Sequence, residues 1–157
     1  ALNLNNEEEV RNAYGRTLER ASKSNPGARI TGVLVQEMLQ EGIECMIGAR
    51  RDPVFGPVIS VGLGGIYVEF LNDYSTMLAP VSVEKASDMI NELEGSPLLR
   101  GLWGRKGFDT KALAHMVSRI SNIIYSHDYI LEINVNPVFV RETDAIVVDA
   151  FIVRRRV

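Results

Sequence analysis

The sequence predicts an α+β fold, a mainly antiparallel sheet packed against helices, on three observations. Residues 30–38, 43–50 and 58–63 read as successive strands separated by glycine, proline and aspartate, the punctuation of a meander. Two apolar stripes at helical spacing follow: Ala86, Met89, Ile90 and Leu93, then Leu113, Met116, Val117, Ile120 and Ile124. Strands therefore come in blocks between helices, without the regular alternation that builds a parallel sheet. A chain of 157 residues, 46% hydrophobic and 24% charged, can fill one ordinary core without disulfides. We read residues 1–157 as a single domain and, because Ala1 opens it, as a piece of something longer.

Each element has a local reason. Residues 1–5 read as a strand already under way, and residues 7–22 as a helix capped by Asn5 or Asn6 that would bury Val10, Ala13, Tyr14, Leu18 and Ala21. The turn Ser24-Asn25-Pro26-Gly27 leads into the three strands, and a short strand at residues 77–79 follows them. Ser82 caps the helix at 83–93, Gly95 ends it, and residues 96–108, with three glycines and Trp103, read as an ordered loop. Asp109 caps the next helix, and strands at 129–136 and 145–153 close the domain.

Composition excludes several function classes. A net charge of -3 argues against a phosphate-neutralising surface, so nucleic acid is not an expected partner. The apolar stretches 54–71 and 146–153 are interrupted or too short to span a bilayer, so no membrane partner is expected either. The single cysteine, Cys45, reads as a small buried hydrophobe, and a reducing cytoplasm fits best. His115 and His127 lack partners at metal-ligand spacing and read as surface or cap residues, so no zinc site is expected.

Three stretches could carry chemistry. In Glu132-Ile133-Asn134-Val135-Asn136-Pro137 the two-residue period places Glu132, Asn134 and Asn136 on one face, as oxygen donors or simply as a solvated face. Asp149 interrupts an apolar run, where an unpaired carboxylate is costly to desolvate, so it needs a partner. A hairpin centred between Glu142 and Thr143 sets Arg141 opposite Asp144 and Asn136 opposite Asp149, a spacing that suits two oxygens sharing Mg²⁺ beside phosphates. The glycines of Gly62-Leu63-Gly64-Gly65 fit an anion cradle or a tight bend, and no Walker ending follows them. Gln36-Glu37-Met38-Leu39, followed by Gly42-Ile43-Glu44, could offer backbone groups to a planar ring and a carboxylate to ribose hydroxyls, or form a plain surface strand.

These stretches occur together and in order. Val33-Leu34-Val35-Gln36-Glu37-Met38, Gly42-Ile43-Glu44, Gly48-Ala49-Arg50-Arg51-Asp52-Pro53-Val54-Phe55-Gly56-Pro57-Val58, Gly62-Leu63-Gly64-Gly65, Glu69, Leu78-Ala79-Pro80, Glu132 to Pro137 and Asp149-Ala150 resemble the ATP-grasp domain of NDP-forming (ADP-forming) acyl-CoA synthetases. At longer range they are similar to the succinyl-CoA synthetase β-subunit. The resemblance implies the C-terminal ATP-grasp lobe of an acid-thiol ligase that interconverts acid, CoA and ATP with acyl-CoA, ADP and phosphate through a phosphohistidine. By matching positions it implies that Gln36, Glu37 and the backbone near Leu39 border adenine, that Glu44 holds the ribose, and that Asn136 and Asp149 ligate Mg²⁺. It assigns no catalytic residue. The implied cofactors are ATP or ADP with Mg²⁺, and the implied partners are the CoA-binding parts and the N-terminal ATP-grasp lobe, in the same or a partner chain, without which the chain is expected to be inactive. Asn134 stands where the family usually has an aspartate and Phe151 where it usually has a basic residue. Those departures keep open a non-catalytic nucleotide-sensing or interaction module, and a protein acetyltransferase can carry the same module.

Overall fold

The computed structural model describes residues 1–39, 42–65, 73–101 and 106–155. They fall into two compact units, Ala1–Gln40 and Glu41–Val157.

The first unit is built on α1 (Glu7–Ser24). Asn6 caps it, its side chain accepting the Glu9 N–H at 2.9 Å, and Glu7, Glu8 and Glu9 place negative charge against the positive end of the helix dipole. Of the expected apolar stripe only Ala13 is buried, whereas Val10 and Tyr14 are 38% and 50% exposed. Residues 1–5 and 30–38 are irregular rather than strands. The β-branched residues of 30–38 favour an extended chain, but a strand also needs a ladder, and among the described residues nothing pairs with this segment.

The second unit holds a sheet of six strands: β1 (Ile43–Asp52), β2 (Gly56–Leu63), β3 (Tyr74–Leu78), β4 (Ile130–Val140), β5 (Ala145–Val147) and β6 (Ala150–Arg154). The order is β3-β2-β1-β4-β5, with β6 also pairing β4, and every pairing is antiparallel; β1, β2 and β3 form a meander, from which the expected first strand, residues 30–38, is missing. Asp52 makes the β1–β2 turn, its carboxylate accepting the Val54 and Phe55 N–H groups at 2.9 and 3.0 Å.

Three helices follow β3 in the chain: α2 (Val83–Glu92), α3 (Ser96–Arg100) and α4 (Thr110–Ser126). The caps are those the sequence indicates, with Ser82 accepting from Lys85 N–H and Asp109 from Ala112 N–H. α3 lies where a loop was expected: Pro97 suits the first helical turn, and Gly101, at φ +87°, ends it. α4 lays Leu113, Val117, Ile120 and Ile124 on the sheet against Cys45, Ile47, Ala49, Ile59, Val61, Ile133 and Val135. One face of the sheet is thereby covered and the opposite face, with Gly48, Ser60 and Thr76, is left open. Cys45 is fully buried as expected, and burial pushes its thiol up to about 12.

Two polar ties hold helices to sheet. Arg51 donates from Nε to the Ile130 carbonyl at 2.9 Å and from Nη2 to the Ile124 carbonyl at 2.5 Å, so one guanidinium meets both the C-terminal turn of α4 and the start of β4. Where the chain passes from β3 into α2, Val81 is fixed on both sides: its N–H donates to Ser121 Oγ at 3.0 Å, and its carbonyl accepts from Ser118 Oγ at 2.8 Å. Val81, Ser118 and Ser121 are all buried, so these backbone groups have no water to fall back on.

The last hairpin keeps the expected register and differs in its strands. Val140 faces Ala145 and Val135 faces Ala150, a count that sets Arg141 opposite Asp144 and Asn136 opposite Asp149. β4 runs through Pro137 to Val140 instead of stopping at Asn136. Its partner is two strands instead of one, because Pro137 has no N–H to donate and the ladder lapses opposite it, at Val148 and Asp149.

Ser121→Ala should leave the buried Val81 N–H without an acceptor and cost about 1–3 kcal/mol in urea unfolding. Asn122→Ala, which removes only the bond from the exposed Asn122 amide to the Ser118 carbonyl, should cost under about 1 kcal/mol in the same assay. Cys45 should resist a water-soluble thiol reagent in the native protein at pH 8 and react fully in denaturant; rapid native reaction would contradict the burial.

Candidate functional site

Asn136 and Asp149 meet where β4 loses its regular partner. The Asn136 N–H donates to the Asp149 carbonyl at 3.1 Å, and the Val148 N–H donates to the Pro137 carbonyl at 3.0 Å, so the backbones are pinned although the ladder is broken. Both side chains are exposed, and among the described residues neither makes a hydrogen bond or ion pair. The expectation that Asp149 would be buried and need a partner is therefore corrected. Its apolar neighbours are themselves exposed, with Val148 at 40%, Phe151 at 52% and Ile152 at 59%, because the strand lies at the sheet's edge. The hairpin tip is different: Arg141 holds Asp144 with both its Nε and its Nη2, and those hydrogen bonds keep the Asp144 carboxyl below its usual value.

Glu44 lies at the start of β1, opposite Phe139 of β4, three residues along that strand from Asn136 or about 10 Å. It is half-buried, and its carboxylate has no hydrogen-bond or ion-pair partner among the described residues. Its carbonyl accepts the Gly64 N–H at 2.6 Å. The glycines at the end of β2 thus serve close packing: a β-carbon on Gly62 would lie 2.6 Å from the Asp73 carbonyl oxygen, and one on Gly64 2.9 Å from the Glu44 carbonyl carbon.

The open face carries a cavity of about 330 Å³ whose lining includes Met46, Gly48, Arg50, Ser60, Thr76 and Glu132. Ser60 and Thr76 share a hydroxyl hydrogen bond of 2.7 Å across β2 and β3, and Arg50 stands opposite Glu132 across β1 and β4. Arg50 is named from the sequence only within a longer stretch and given no role, yet the two-residue period that sets Gly48 on this face sets Arg50 there too. Phe151 pairs with Asn134 across β6 and β4, half exposed.

Gln36, Glu37 and Leu39 lie in the first unit, the first two exposed and Leu39 half-buried, in the irregular stretch before the unit ends. Glu69 and Trp103 fall outside the described residues. His115 is exposed on α4, and His127 caps that helix's end with Nδ1 3.0 Å from the Ile123 carbonyl, as expected of surface and cap residues. Among the described residues no three His, Cys, Asp or Glu side chains gather to hold a metal, and no helix is long and apolar enough to cross a membrane.

Comparison with known proteins agrees with this architecture. Residues 1–153 match the ATP-grasp domain family. The β subunit of ADP-forming acetate–CoA ligase I from Pyrococcus furiosus is 40% identical over 149 residues, covering 95% of this chain and 64% of the relative. The ADP-forming 4-hydroxybutyrate–CoA ligase of Nitrosopumilus maritimus is 42% identical over 141 residues, 90% of this chain and 20% of that one. A structure of the dinucleotide-forming acetyl-coenzyme A synthetase 1 of Candidatus Korarchaeum cryptofilum, solved with coenzyme A and Ca-AMPCP, superposes with a TM-score of 0.90 at 40% identity over 99% of this chain and 68% of that one. The chain thus spans just under two thirds of the β subunit and a fifth of the 4-hydroxybutyrate–CoA ligase. With the sheet, its collinear motifs and these relatives in agreement, the chain belongs to the ATP-grasp domain family, in the branch found in ADP-forming acyl-CoA synthetases.

Proposed function

We propose that this chain is the nucleotide- and Mg²⁺-binding C-terminal ATP-grasp lobe of an ADP-forming acyl-CoA synthetase, with residues 1–157 acting as one subdomain. The observation that carries the reading is the Asn136–Asp149 pair: two hard oxygen donors, set opposite each other by register, with pinned backbones and uncommitted side chains. One neutral and one anionic oxygen suit Mg²⁺, which takes few ligands from protein and the rest from phosphate and water. No third acidic group completes a cage among the described residues, which also fits an ion that arrives with its nucleotide. Bound there, Mg²⁺ would neutralise charge on the nucleotide phosphates.

The remaining roles are those the family resemblance implies. Glu44 offers an unpaired carboxylate to the two hydroxyls of a ribose, and Gln36, Glu37 and the backbone at Leu39 border the adenine. Positioning and charge neutralisation are most of what phosphoryl transfer requires of a protein, and this lobe contributes to both. The parent reaction would be acid, CoA and ATP to acyl-CoA, ADP and phosphate, passing through a phosphohistidine. Its CoA-binding parts and the N-terminal lobe, with the phosphate-binding lysine, would come from the same chain or a partner, and its compartment would be the cytoplasm. One observation favours the alternative of a nucleotide-sensing module: Phe151, half exposed opposite Asn134, puts a phenyl ring where a cation would contact phosphate.

Calorimetric or NMR titration of the chain with ADP, with and without Mg²⁺, tests the reading. Binding should be weak, on the order of millimolar or about 4 kcal/mol, since the phosphates face water on one side. Asn136→Ala and Asp149→Ala should each remove most of the Mg²⁺-dependent gain, about fivefold or more, with circular dichroism unchanged. A gain preserved in both variants would overturn the metal assignment.

A further inference from the structure

Gly64 and Gly65 both lie against Glu44, and what each touches is different. At Gly64 a β-carbon would stand 2.9 Å from the Glu44 carbonyl carbon and 3.0 Å from the Cys45 nitrogen, both backbone atoms locked into the sheet. At Gly65 it would stand 2.7 Å from Glu44 Oε2 and 3.4 Å from Cδ, the free end of a rotatable side chain. The first contact makes glycine necessary for the fold. The second leaves the fold an easy escape, because the carboxylate can swing aside.

That escape has a consequence for any ligand of Glu44. Its carboxylate accepts no hydrogen bond and joins no ion pair among the described residues, so no polar partner there sets its rotamer. Its backbone is fixed by the Gly64 N–H and by β4, and its Oε2 occupies space that a side chain at position 65 would need. We infer that Gly65 is a positioning residue: by lacking a side chain it leaves room for the Glu44 carboxylate in the orientation that accepts ribose hydroxyls, and so permits the site's preference for a ribose over a deoxyribose nucleotide. The inference rests on the reading of Glu44 as the ribose ligand. Gly65 has φ +63°, a left-handed conformation that alanine adopts with some strain and asparagine adopts more readily, so the two substitutions separate backbone strain from displacement of the carboxylate.

The test compares Mg²⁺-dependent binding of ADP and 2′,3′-dideoxy-ADP by the full chain, with a thermal melt of each variant. Two charge-assisted hydrogen bonds should give the wild type a preference for ADP of about tenfold or more. Gly65→Ala and Gly65→Asn should reduce that preference to about twofold by weakening ADP binding alone, with affinity for the dideoxy analogue kept. Glu44→Ala should abolish the preference, and adding Gly65→Ala to it should change nothing further. If both Gly65 variants keep the wild-type ratio, or lose both nucleotides in equal proportion, the positioning role is overturned while the ribose role of Glu44 stands. If the wild type shows no preference, or Glu44→Ala retains it, the ribose reading itself fails and the inference falls with it.

Discussion

Strand β4 is paired along both edges, with β1 on one side and β5 and β6 on the other, so its two-residue alternation is locked and the other placements follow from it. Ile133 and Val135 go down into the layer covered by α4, and this requires Glu132 and Asn134 to go up to the open face. A slip of one residue would exchange these sets, burying a carboxylate and an amide against Ile47 and Ala49, so the register is defended by several buried side chains at once. The same lock carries Asn136 to the point where Pro137 interrupts donation. The Asn136 oxygen therefore owes its position to apolar packing several residues away.

Much of this was legible in the chain. The hairpin register followed from counting outward from a turn between Glu142 and Thr143, and the pair Arg141 and Asp144 is found where that count puts it. Caps at Asn6, Ser82 and Asp109 were readable because each needs only a short polar side chain just ahead of an apolar stripe. What failed was inference about partners distant in sequence. Residues 30–38 have the composition of a strand, but a strand exists only with a neighbour to bond, and composition does not reveal whether one is present. Asp149 was misjudged for a related reason: Val147, Val148, Phe151 and Ile152 look like a buried run, and only their edge position shows that they are not. The glycines after β2 were likewise ambiguous between an anion cradle and a bend. Their actual constraint is the proximity of Glu44 and Asp73, and no spacing rule announces it.

Polar residues in the second unit divide into two sorts by what their side chains do. Arg51, Ser118, Ser121, Asp109 and Arg141 spend their side chains on backbone or carboxylate partners, joining helices to sheet or closing turns. All but Arg141, which meets a carboxylate, satisfy a backbone carbonyl or N–H, which is why they belong with the hydrophobic layer as determinants of stability. Glu44, Asn136 and Asp149 reverse the arrangement: their backbones are tied by the Gly64–Glu44 and Asn136–Asp149 bonds, and their side chains are left without partners among the described residues.

That reversal is what a binding surface requires. A carboxylate already committed to an arginine, as Asp144 is, must break a charge-assisted pair before it can serve a ligand, whereas an uncommitted one gives up only water. A free side chain, however, costs conformational entropy when a ligand orders it, and that cost falls if the backbone beneath it is fixed and its rotamers are few. At Asn136 and Asp149 the backbone hydrogen bond supplies the first condition. At Glu44 the Gly64 N–H supplies it as well, and the space left by Gly65 lets the carboxylate keep its place. With no hydrogen bond to that side chain among the described residues, its acceptor lone pairs stay open to a ligand.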